Sequence, residues 1–180
     1  MSNVETILNK ARELAQQLAA CLQQQDTPDN PRRIVLAESC TAGLVAALLG
    51  QVPGISNYLC GSAVTYRASV KQDWLGVSAE VVETHTTESI ETTMAMAIGV
   101  LNKTQEANFS AAITGHLGPD APPEIDGKVF VAIAARIDGS VEIIHKHEAK
   151  LNSATRMERQ YEAAATVLER LIDVANSQSI

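Results

Sequence analysis

Residues 34–43 run from an apolar segment directly into small polar residues and then into a helical pattern. Residues 34–37 are apolar, residues 38–43 read Glu-Ser-Cys-Thr-Ala-Gly, and residues 44–49 are again apolar. This order is typical of a buried strand that leads into a helix. A helix N-terminus offers unpaired backbone N–H groups and the positive end of the helix dipole, which favour an anion or an oxyanion. Ser39 is therefore either a helix N-cap or a nucleophile beside an oxyanion site.

Apolar strand-like segments and helical segments continue to alternate along the chain. Strands are predicted at 33–37, 58–66, 109–114, 128–137 and 141–148, and helices at 4–24, 41–49, 70–75, 88–101 and 153–174. Thr87 is the predicted N-cap of the helix at 88–101, and Asp138-Gly139 predicts a hairpin between the last two strands. The alternation predicts an α/β fold in one domain over residues 1–180. Its five-stranded sheet is mixed, mainly parallel and covered on both faces.

Composition disfavours several classes of function. The 180 residues carry a net charge of −7 and only 3% aromatic residues, which disfavours nucleic-acid binding. No apolar run approaches the roughly 20 residues of a membrane span, so no membrane association is expected. The cysteines Cys21, Cys40 and Cys60 have no metal-type spacing, and residues 1–5 show no leader pattern. We therefore expect a cytoplasmic protein.

Two residues near the second predicted strand are candidates to act with Ser39. In such sheets, ligands bind beyond the carboxyl ends of the strands. Lys71 follows that end of the strand at 58–66 and is a candidate base, provided that burial or a nearby cation lowers its pKa. The alternative is a solvated lysine. Tyr66 either relays a proton, orients a substrate or packs its ring at the strand end.

The segment after the third predicted strand reads Thr-Gly-His-Leu-Gly-Pro over residues 114–119. Its two glycines permit close approach of the backbone to a ligand, and Thr114 and His116 are candidates to face it. The alternative is an ordinary Gly/Pro-rich connection. Cys40 is an alternative nucleophile, since a helix start can lower a thiol pKa, but no histidine partner is evident.

Other polar residues carry weaker signals. His145 and His147 share one face of a predicted strand, as two metal ligands would, but a solvated face is favoured because no third ligand is evident. The predicted last helix places Arg156, Arg159 and Arg170 on an exposed face. The first two of these arginines are candidates to bind an anionic ligand.

The motifs together resemble the CinA C-terminal domain family. Residues 38–43 match Glu-Ser-Cys-Thr-Gly/Ala-Gly, and residues 53–56 match a Pro-Gly-Ser-Ser turn in part. Residues 61–77 match Gly-Gly-x-Val-x-Tyr-x-Asn-x-x-Lys-x-x-x-Leu-Gly-Val in most positions. The resemblance covers about residues 5–175. It implies a three-layer α/β/α sandwich with a mixed five-stranded sheet.

The resemblance also implies a reaction, because stand-alone members of this family are nicotinamide-nucleotide amidohydrolases (NMN deamidases). They convert nicotinamide mononucleotide (NMN) to nicotinic acid mononucleotide and ammonia. By this resemblance Ser39 attacks the carboxamide, Lys71 accepts its proton and Tyr66 assists. Neither a metal nor another cofactor is implied. The expected partners are a nucleotide-like substrate and a second copy of the chain in a homodimer.

The substrate site implied by the resemblance is altered in this chain. Backbone N–H groups near Cys40 and Thr41 are expected to hold the oxyanion, and the remaining implied substrate-binding residues are Gly43, Thr114, Gly115, His116 and Gly118. The family pattern Thr-Gly-Ile-Ala-Gly-Pro here has His116 and Leu117, and Ala68 replaces an asparagine. Two alternatives therefore stay open: hydrolysis of a different small amide, and a non-catalytic nucleotide-binding module.

Overall fold

A five-stranded sheet lies between two layers of helices in the computed structural model, which describes residues 3–177. The strands are β1 (Ile34–Glu38), β2 (Leu59–Val64), β3 (Phe109–Gly115), β4 (Lys128–Ile137) and β5 (Ser140–Lys150). The helices are α1 (Asn3–Gln25), α2 (Leu44–Leu49), α3 (Ala68–Leu75), α4 (Ala79–His85), α5 (Ile90–Lys103) and α6 (Arg156–Asn176). A short 3-10 helix at Ile55–Asn57 precedes β2.

The strand order is β2-β1-β3-β4-β5. β1 pairs in parallel with β2 and β3, whereas β4 is antiparallel to both β3 and β5. Four of the five strands therefore point in one direction, which confirms the mixed, mainly parallel sheet. Asp138 and Gly139 join β4 to β5 with φ values of 48° and 83°, the positive angles that a tight hairpin turn requires.

Strand β1 is buried on both faces. Ile34 and Leu36 pack with α1, α2 and α6, whereas Val35 and Ala37 pack with α3 and α5 on the opposite face. Since successive strand residues point to opposite faces, an uninterrupted apolar strand is what a covered, central position requires. The three-layer α/β/α arrangement is confirmed.

Three helices begin two or three residues later than predicted. Helix α2 begins at Leu44 rather than residue 41, and Gly43, not Ser39, is its N-cap. Helix α5 begins at Ile90, because the hydroxyl of Ser89, not that of Thr87, accepts the N–H bond that caps it. The last helix begins at Arg156, after a reciprocal capping box.

Helix α4 was not predicted from the sequence. Its seven residues include no buried side chain, so no apolar periodicity marks it. The hydroxyl of Ser78, which accepts a hydrogen bond from the Val81 N–H, is the local signal that does mark its start.

Close packing of α5 against the end of α3 fixes the helix that carries Lys71. A Cβ atom added at Gly99 would lie 2.1 Å from the carbonyl oxygen of Leu75, so only glycine permits this approach. Lys71 lies one turn before Leu75 on the same helix. The backbone of α3 is thereby held next to α5 and the sheet.

Candidate active site

Ser39 lies in the turn between β1 and α2 and is almost fully buried. Its backbone N–H donates to the carbonyl of Ile113, the β3 residue that pairs with Glu38. This bond extends the β1–β3 pairing by one residue. Ser39 is therefore positioned at the carboxyl end of the sheet, where this class of fold binds ligands.

The buried carboxylate of Glu38 caps helix α2. Its two oxygens accept hydrogen bonds from the backbone N–H groups of Val45 and Ala46, each at 3.0 Å, and from the hydroxyl of Ser62 at 3.0 Å. Because the Glu38 carboxylate accepts these N–H groups of the first turn of α2, the hydroxyl of Ser39 is not needed to cap the helix. The N-cap alternative for Ser39 is therefore wrong.

Lys71 is fully buried, and its Nζ lies 3.0 Å from the Ser39 hydroxyl oxygen. The same nitrogen donates to the backbone carbonyls of Thr65 at 2.8 Å and Tyr66 at 3.3 Å. No ion pair of residues 3–177 includes Lys71. The alternative of a solvated lysine is wrong.

Burial lowers the pKa of Lys71, and the charge of Glu88 opposes that shift. A neutral lysine amine has two N–H bonds and one lone pair. In the ammonium form, Lys71 donates one N–H to the Ser39 hydroxyl and the others to the carbonyls of Thr65 and Tyr66. In the neutral form, the two carbonyls keep the two N–H bonds and the lone pair faces the hydroxyl of Ser39. This arrangement is the one a general base needs to accept a serine proton.

Cys40, which follows Ser39 in the chain, has a thiol that is poorly suited to act as a nucleophile. Burial raises the pKa of its thiol to about 12, so the thiol stays protonated near neutral pH. A thiolate nucleophile at this position is therefore disfavoured, and Ser39 is the better candidate.

Thr41, the next residue of the turn, has two donors without acceptors. Its backbone N–H has no acceptor, and its buried Oγ1 has no partner, among residues 3–177. Its carbonyl accepts a hydrogen bond from the side chain of Gln160 at 3.1 Å, which ties the turn to α6. Donors that are fixed and unpaired are suited to an anionic oxygen.

Arg156 connects the segments that follow β2 and β3. Its guanidinium donates to the hydroxyl of Tyr66 at 2.8 Å and to the carbonyl of Gly118. The ring of Tyr66 is exposed, and its hydroxyl contacts Arg156 rather than Ser39 or Lys71. Arg156 is exposed and takes part in no ion pair of residues 3–177.

A cleft of about 560 Å³ adjoins Arg156. Its walls come from the segment after β3 and from the start of α6, and they include Leu117, Pro119, Asp126, Thr155, Arg156 and Arg159. Arg159 forms a two-pronged ion pair with Asp126, at 2.6 and 2.9 Å. The pair lowers the pKa of Asp126 through the hydrogen bond from Arg159 and fixes one wall of the cleft.

Two of the predicted exposed arginines are half-buried and ion-paired. Arg159 pairs with Asp126, and Arg170 pairs with Asp173 at 3.1 Å. They are not on a freely solvated face, because the apolar stripe of α6 is wide enough to bring their side chains partly into the packed layer. Only Arg156 is exposed as predicted.

The remaining predicted substrate residues have well-defined structural contacts. The hydroxyl of Thr93 donates to the carbonyl of Ser89, so Thr114, 2.8 Å away, must donate its own proton to Thr93. Thr114 thereby joins β3 to α5. A Cβ at Gly115 would lie 2.5 Å from the carbonyl oxygen of Lys128, so this glycine permits the β3–β4 approach.

His116 follows β3, and its Nε2 lies 3.7 Å from the carboxylate of Glu88. Glu88 precedes α5 and, like Glu38, was given no role from the sequence. A signal was present for Glu38, since an acidic residue at the end of a buried strand needs internal partners. No comparable signal marked Glu88, which lies in a polar segment.

His145 and His147 are half-buried on β5 rather than on a solvated face. Burial lowers the pKa of both imidazoles, Arg170 of α6 lowers them further, and Nε2 of His145 is buried without a partner among residues 3–177. In that same part of the chain, no three His, Cys, Asp or Glu side chains are placed to hold a metal ion. None of its helices is long and apolar enough to cross a membrane.

The profile of one known protein family matches most of this chain. The profile of the CinA C-terminal domain matches residues 11–174. The chain belongs to the CinA C-terminal domain family. A putative competence-damage inducible protein of Desulforudis audaxviator is 41% identical over 104 residues, which are 57% of this chain and 25% of that protein. A CinA-like protein of Chlorobium luteolum is 37% identical over 128 residues, or 67% of this chain and 30% of that protein.

The chain thus spans about a quarter of the length of the curated CinA relatives it matches. Solved CinA structures match it over most of its length. The competence/damage inducible protein CihA of Agrobacterium tumefaciens is 33% identical, with a TM-score of 0.81 over 92% of this chain and 95% of that one. A CinA superfamily protein of Klebsiella pneumoniae, 24% identical with a TM-score of 0.81 over 93% of this chain and 98% of that one, supports the fold.

Proposed function

We propose that this chain hydrolyses the carboxamide of NMN to nicotinic acid mononucleotide and ammonia. The observation that carries the proposal is the 3.0 Å contact between the Ser39 hydroxyl and the Nζ of a fully buried Lys71. Burial favours the neutral amine, and two carbonyls orient it. A serine beside such an amine has the base that it needs to act as a nucleophile.

In the first half of the reaction, Ser39 forms an ester with the substrate. Its Oγ bonds to the carboxamide carbon while Lys71 takes the hydroxyl proton. Lys71 then passes that proton to the amide nitrogen, the carbon–nitrogen bond breaks, and ammonia leaves. The lysine returns to its neutral form, and the substrate's acyl group is attached to Ser39.

In the second half, water replaces the serine. Lys71 takes a proton from the attacking water as its oxygen bonds to the acyl carbon. The bond from that carbon to Ser39 Oγ then breaks, and Lys71 returns the proton to the serine. The products are the carboxylic acid and the free enzyme, so protons and bonds balance.

The turn after β1 supports an oxyanion role. Each half of the reaction places negative charge on the former carbonyl oxygen, and the backbone N–H of Thr41 is a donor without an acceptor among the described residues. Donors of this kind, when fixed in advance, contribute about 3–4 kcal/mol to transition-state stabilisation. We assign the N–H groups of Cys40 and Thr41 to this role.

Arg156 supports a phosphorylated substrate. Its guanidinium is exposed, is oriented by Tyr66 and Gly118, and lines a cleft whose volume of about 560 Å³ is within the range of small-molecule sites. Guanidinium groups bind phosphate through paired N–H donors. In this assignment the phosphate of NMN binds at Arg156 and its ring lies beside Tyr66.

One observation favours a second candidate, the hydrolysis of a different small amide. His116 stands where the family pattern has isoleucine, and its Nε2 lies 3.7 Å from the carboxylate of Glu88. A site with these two side chains accepts polar or charged substituents that an isoleucine would exclude.

Ammonia release from NMN tests the proposal, with a panel of other small amides run in parallel. We expect release by the wild type and losses of at least about a thousandfold for Ser39→Ala and Lys71→Met. Ser69→Ala, at an exposed serine of the same helix as Lys71, is the matched control and should retain full activity.

The outcomes separate the two candidates. Release from a panel amide but not from NMN would support the second candidate and contradict the first. Release that persists in Ser39→Ala would refute the serine mechanism for both. A folded wild type that releases ammonia from no amide would favour a non-catalytic binding module.

A further inference from the structure

Gln160 links helix α6 to the turn that carries Ser39. Its side-chain Nε2 donates to the carbonyl oxygen of Thr41 at 3.1 Å. The backbone N–H of Leu44, at the start of α2, donates to the same oxygen at 3.1 Å. The buried hydroxyl of Thr41 has no partner among residues 3–177, so it adds no further hydrogen bond to the turn. Within that part of the chain, the bond from Gln160 is the only one that joins Thr41 to an element other than the turn and α2.

The turn needs support from outside because its backbone is strained at Ala42. Ala42 has a φ of 53°, in the left-handed region that residues with a Cβ atom rarely adopt. Such a conformation persists only where the surrounding structure enforces it. The carbonyl that Gln160 contacts belongs to the peptide unit that joins Thr41 to Ala42. The hydrogen bond therefore fixes the rotation of that unit and opposes the relaxation of Ala42.

Helix α6 is firmly held at the end from which Gln160 projects. Thr155 and the buried Glu158 close its start with reciprocal hydrogen bonds, and Asn3 of α1 also donates to Glu158. Arg156 and Gln160 are four residues apart and therefore share one face of α6. Arg156 contacts the segments after β2 and β3, and Gln160 contacts the segment after β1. One helix face thus connects the three segments that form the candidate active site.

We propose that Gln160 is a positioning residue, which holds the strained turn so that the N–H of Thr41 stays directed at the oxyanion. The inference rests on the proposed role of Ser39 as a nucleophile, and Gln160 itself touches no reacting atom. Without its hydrogen bond, Ala42 can relax towards a more common backbone conformation, and the neighbouring N–H of Thr41 moves with it. The donor is then present but misaligned when negative charge develops.

The test measures the reactivity of Ser39 towards methanesulfonyl fluoride, a small reagent that requires no knowledge of the natural substrate. The Oγ of Ser39 forms a bond to sulfur, Lys71 takes the hydroxyl proton, and the sulfur–fluorine bond breaks to release fluoride. Negative charge gathers on the sulfonyl oxygens during this step, so its rate reports on the oxyanion donors. Mass spectrometry follows the modification, and Ser39→Ala gives the background from other residues.

Gln160→Met retains the length of the side chain and removes its N–H donor. It should lower the second-order rate constant for modification of Ser39 by about tenfold, which is less than the loss of a hundredfold or more when an oxyanion donor is removed outright. With NMN as the substrate, the same variant should lower kcat by a similar factor and leave KM within about twofold, because the oxyanion forms only during the reaction.

Thr166→Val is the matched control for Gln160→Met. It also removes one part-buried hydrogen bond from a side chain of α6 to a backbone carbonyl, but that carbonyl belongs to Glu162 of the same helix. The two variants should lose similar stability in urea unfolding. The rate of Ser39 modification should stay at the wild-type value in Thr166→Val.

Ala42→Gly tests the strain at the turn. Glycine adopts a positive φ without a steric penalty, so the turn should depend less on Gln160 in this background. Gln160→Met should then lower the rate of Ser39 modification by no more than about threefold. A tenfold loss that persists in Ala42→Gly would refute the proposal that Gln160 acts by holding Ala42.

An unchanged rate of Ser39 modification in folded Gln160→Met would overturn the proposal. So would an equal loss in Thr166→Val, since the effect would then come from a general loosening of α6. Wild-type protein that the reagent does not modify at Ser39 would refute the nucleophile on which the inference rests. Modification of Ser39 without ammonia release from NMN would refute the proposed function alone, so the two failures are distinguishable.

Discussion

Loss of the Glu38 carboxylate should destabilise the protein, although Glu38 takes no part in the proposed bond making. Glu38 is fully buried and accepts hydrogen bonds from the backbone N–H groups of Val45 and Ala46 and from the Ser62 hydroxyl. In Glu38→Ala, both N–H groups lose their acceptor inside the protein. The Ser62 hydroxyl is part-buried and can rotate to another partner, so the two N–H groups dominate the cost.

A buried donor without a partner costs about 1–3 kcal/mol, so two donors give a loss of about 3 kcal/mol in the free energy of unfolding. For a domain of this size, that loss lowers the thermal midpoint by about 6–12 °C. Glu38→Gln keeps one acceptor oxygen and should lose roughly half as much. Ser62→Ala removes a single part-buried hydrogen bond and should cost about 1 kcal/mol.

Urea unfolding and thermal melts of the wild type and the three variants measure these effects. The order of stability should be wild type, Ser62→Ala, Glu38→Gln and Glu38→Ala. A loss of less than about 1 kcal/mol in Glu38→Ala would refute the view that this carboxylate caps α2 and shapes the turn that carries Ser39.

Two further predictions concern the packing around the sheet. Gly99→Ala should lower the free energy of unfolding by about 1–3 kcal/mol, because the added Cβ would lie 2.1 Å from the Leu75 carbonyl oxygen; equal urea midpoints would contradict this. In the folded protein, burial and to a lesser extent Arg170 lower the pKa of His145 and His147. As the pH falls, these two histidines therefore bind protons in the unfolded chain before they do so in the folded one. Stability should therefore hold above about pH 6.5 and decline below it, and the double variant His145→Gln/His147→Gln should flatten that decline in urea midpoints measured at about pH 7.5 and 5.5. A wild-type midpoint that does not change between these pH values would contradict the prediction.

The sheet was predictable because burial leaves a strong periodic signal in the sequence. Strand β4 was predicted with its observed bounds, since its buried apolar run and the Asp138-Gly139 turn are local features. The start of α2 was not, because its cap comes from Glu38 across a turn in which Ala42 and Gly43 have positive φ. Nothing local in the sequence distinguishes that arrangement from a serine cap.

The candidate site was predictable in the contact of Ser39 with Lys71 but not in its other contacts. Ser39 and Lys71 were expected to meet, because both follow strands whose carboxyl ends are neighbours in a parallel pair. The contact of Tyr66 with Arg156 spans 90 positions in the chain, and that of Glu88 with His116 joins two loops. Such contacts depend on the packing of α5 and α6 and leave no periodic trace in the sequence.

The most direct test of the central claim is hydroxylamine trapping of the acyl group on Ser39. Purified enzyme is given NMN with increasing hydroxylamine, and ammonia, carboxylic acid and hydroxamate are measured together. If Lys71 activates Ser39 to form an ester, hydroxamate should replace the acid while enzyme-dependent ammonia release does not fall. The Ser39→Ala variant should form neither hydroxamate nor acid. Ammonia release with no hydroxamate at any hydroxylamine concentration would show that water attacks the amide directly, and it would contradict the serine–lysine account.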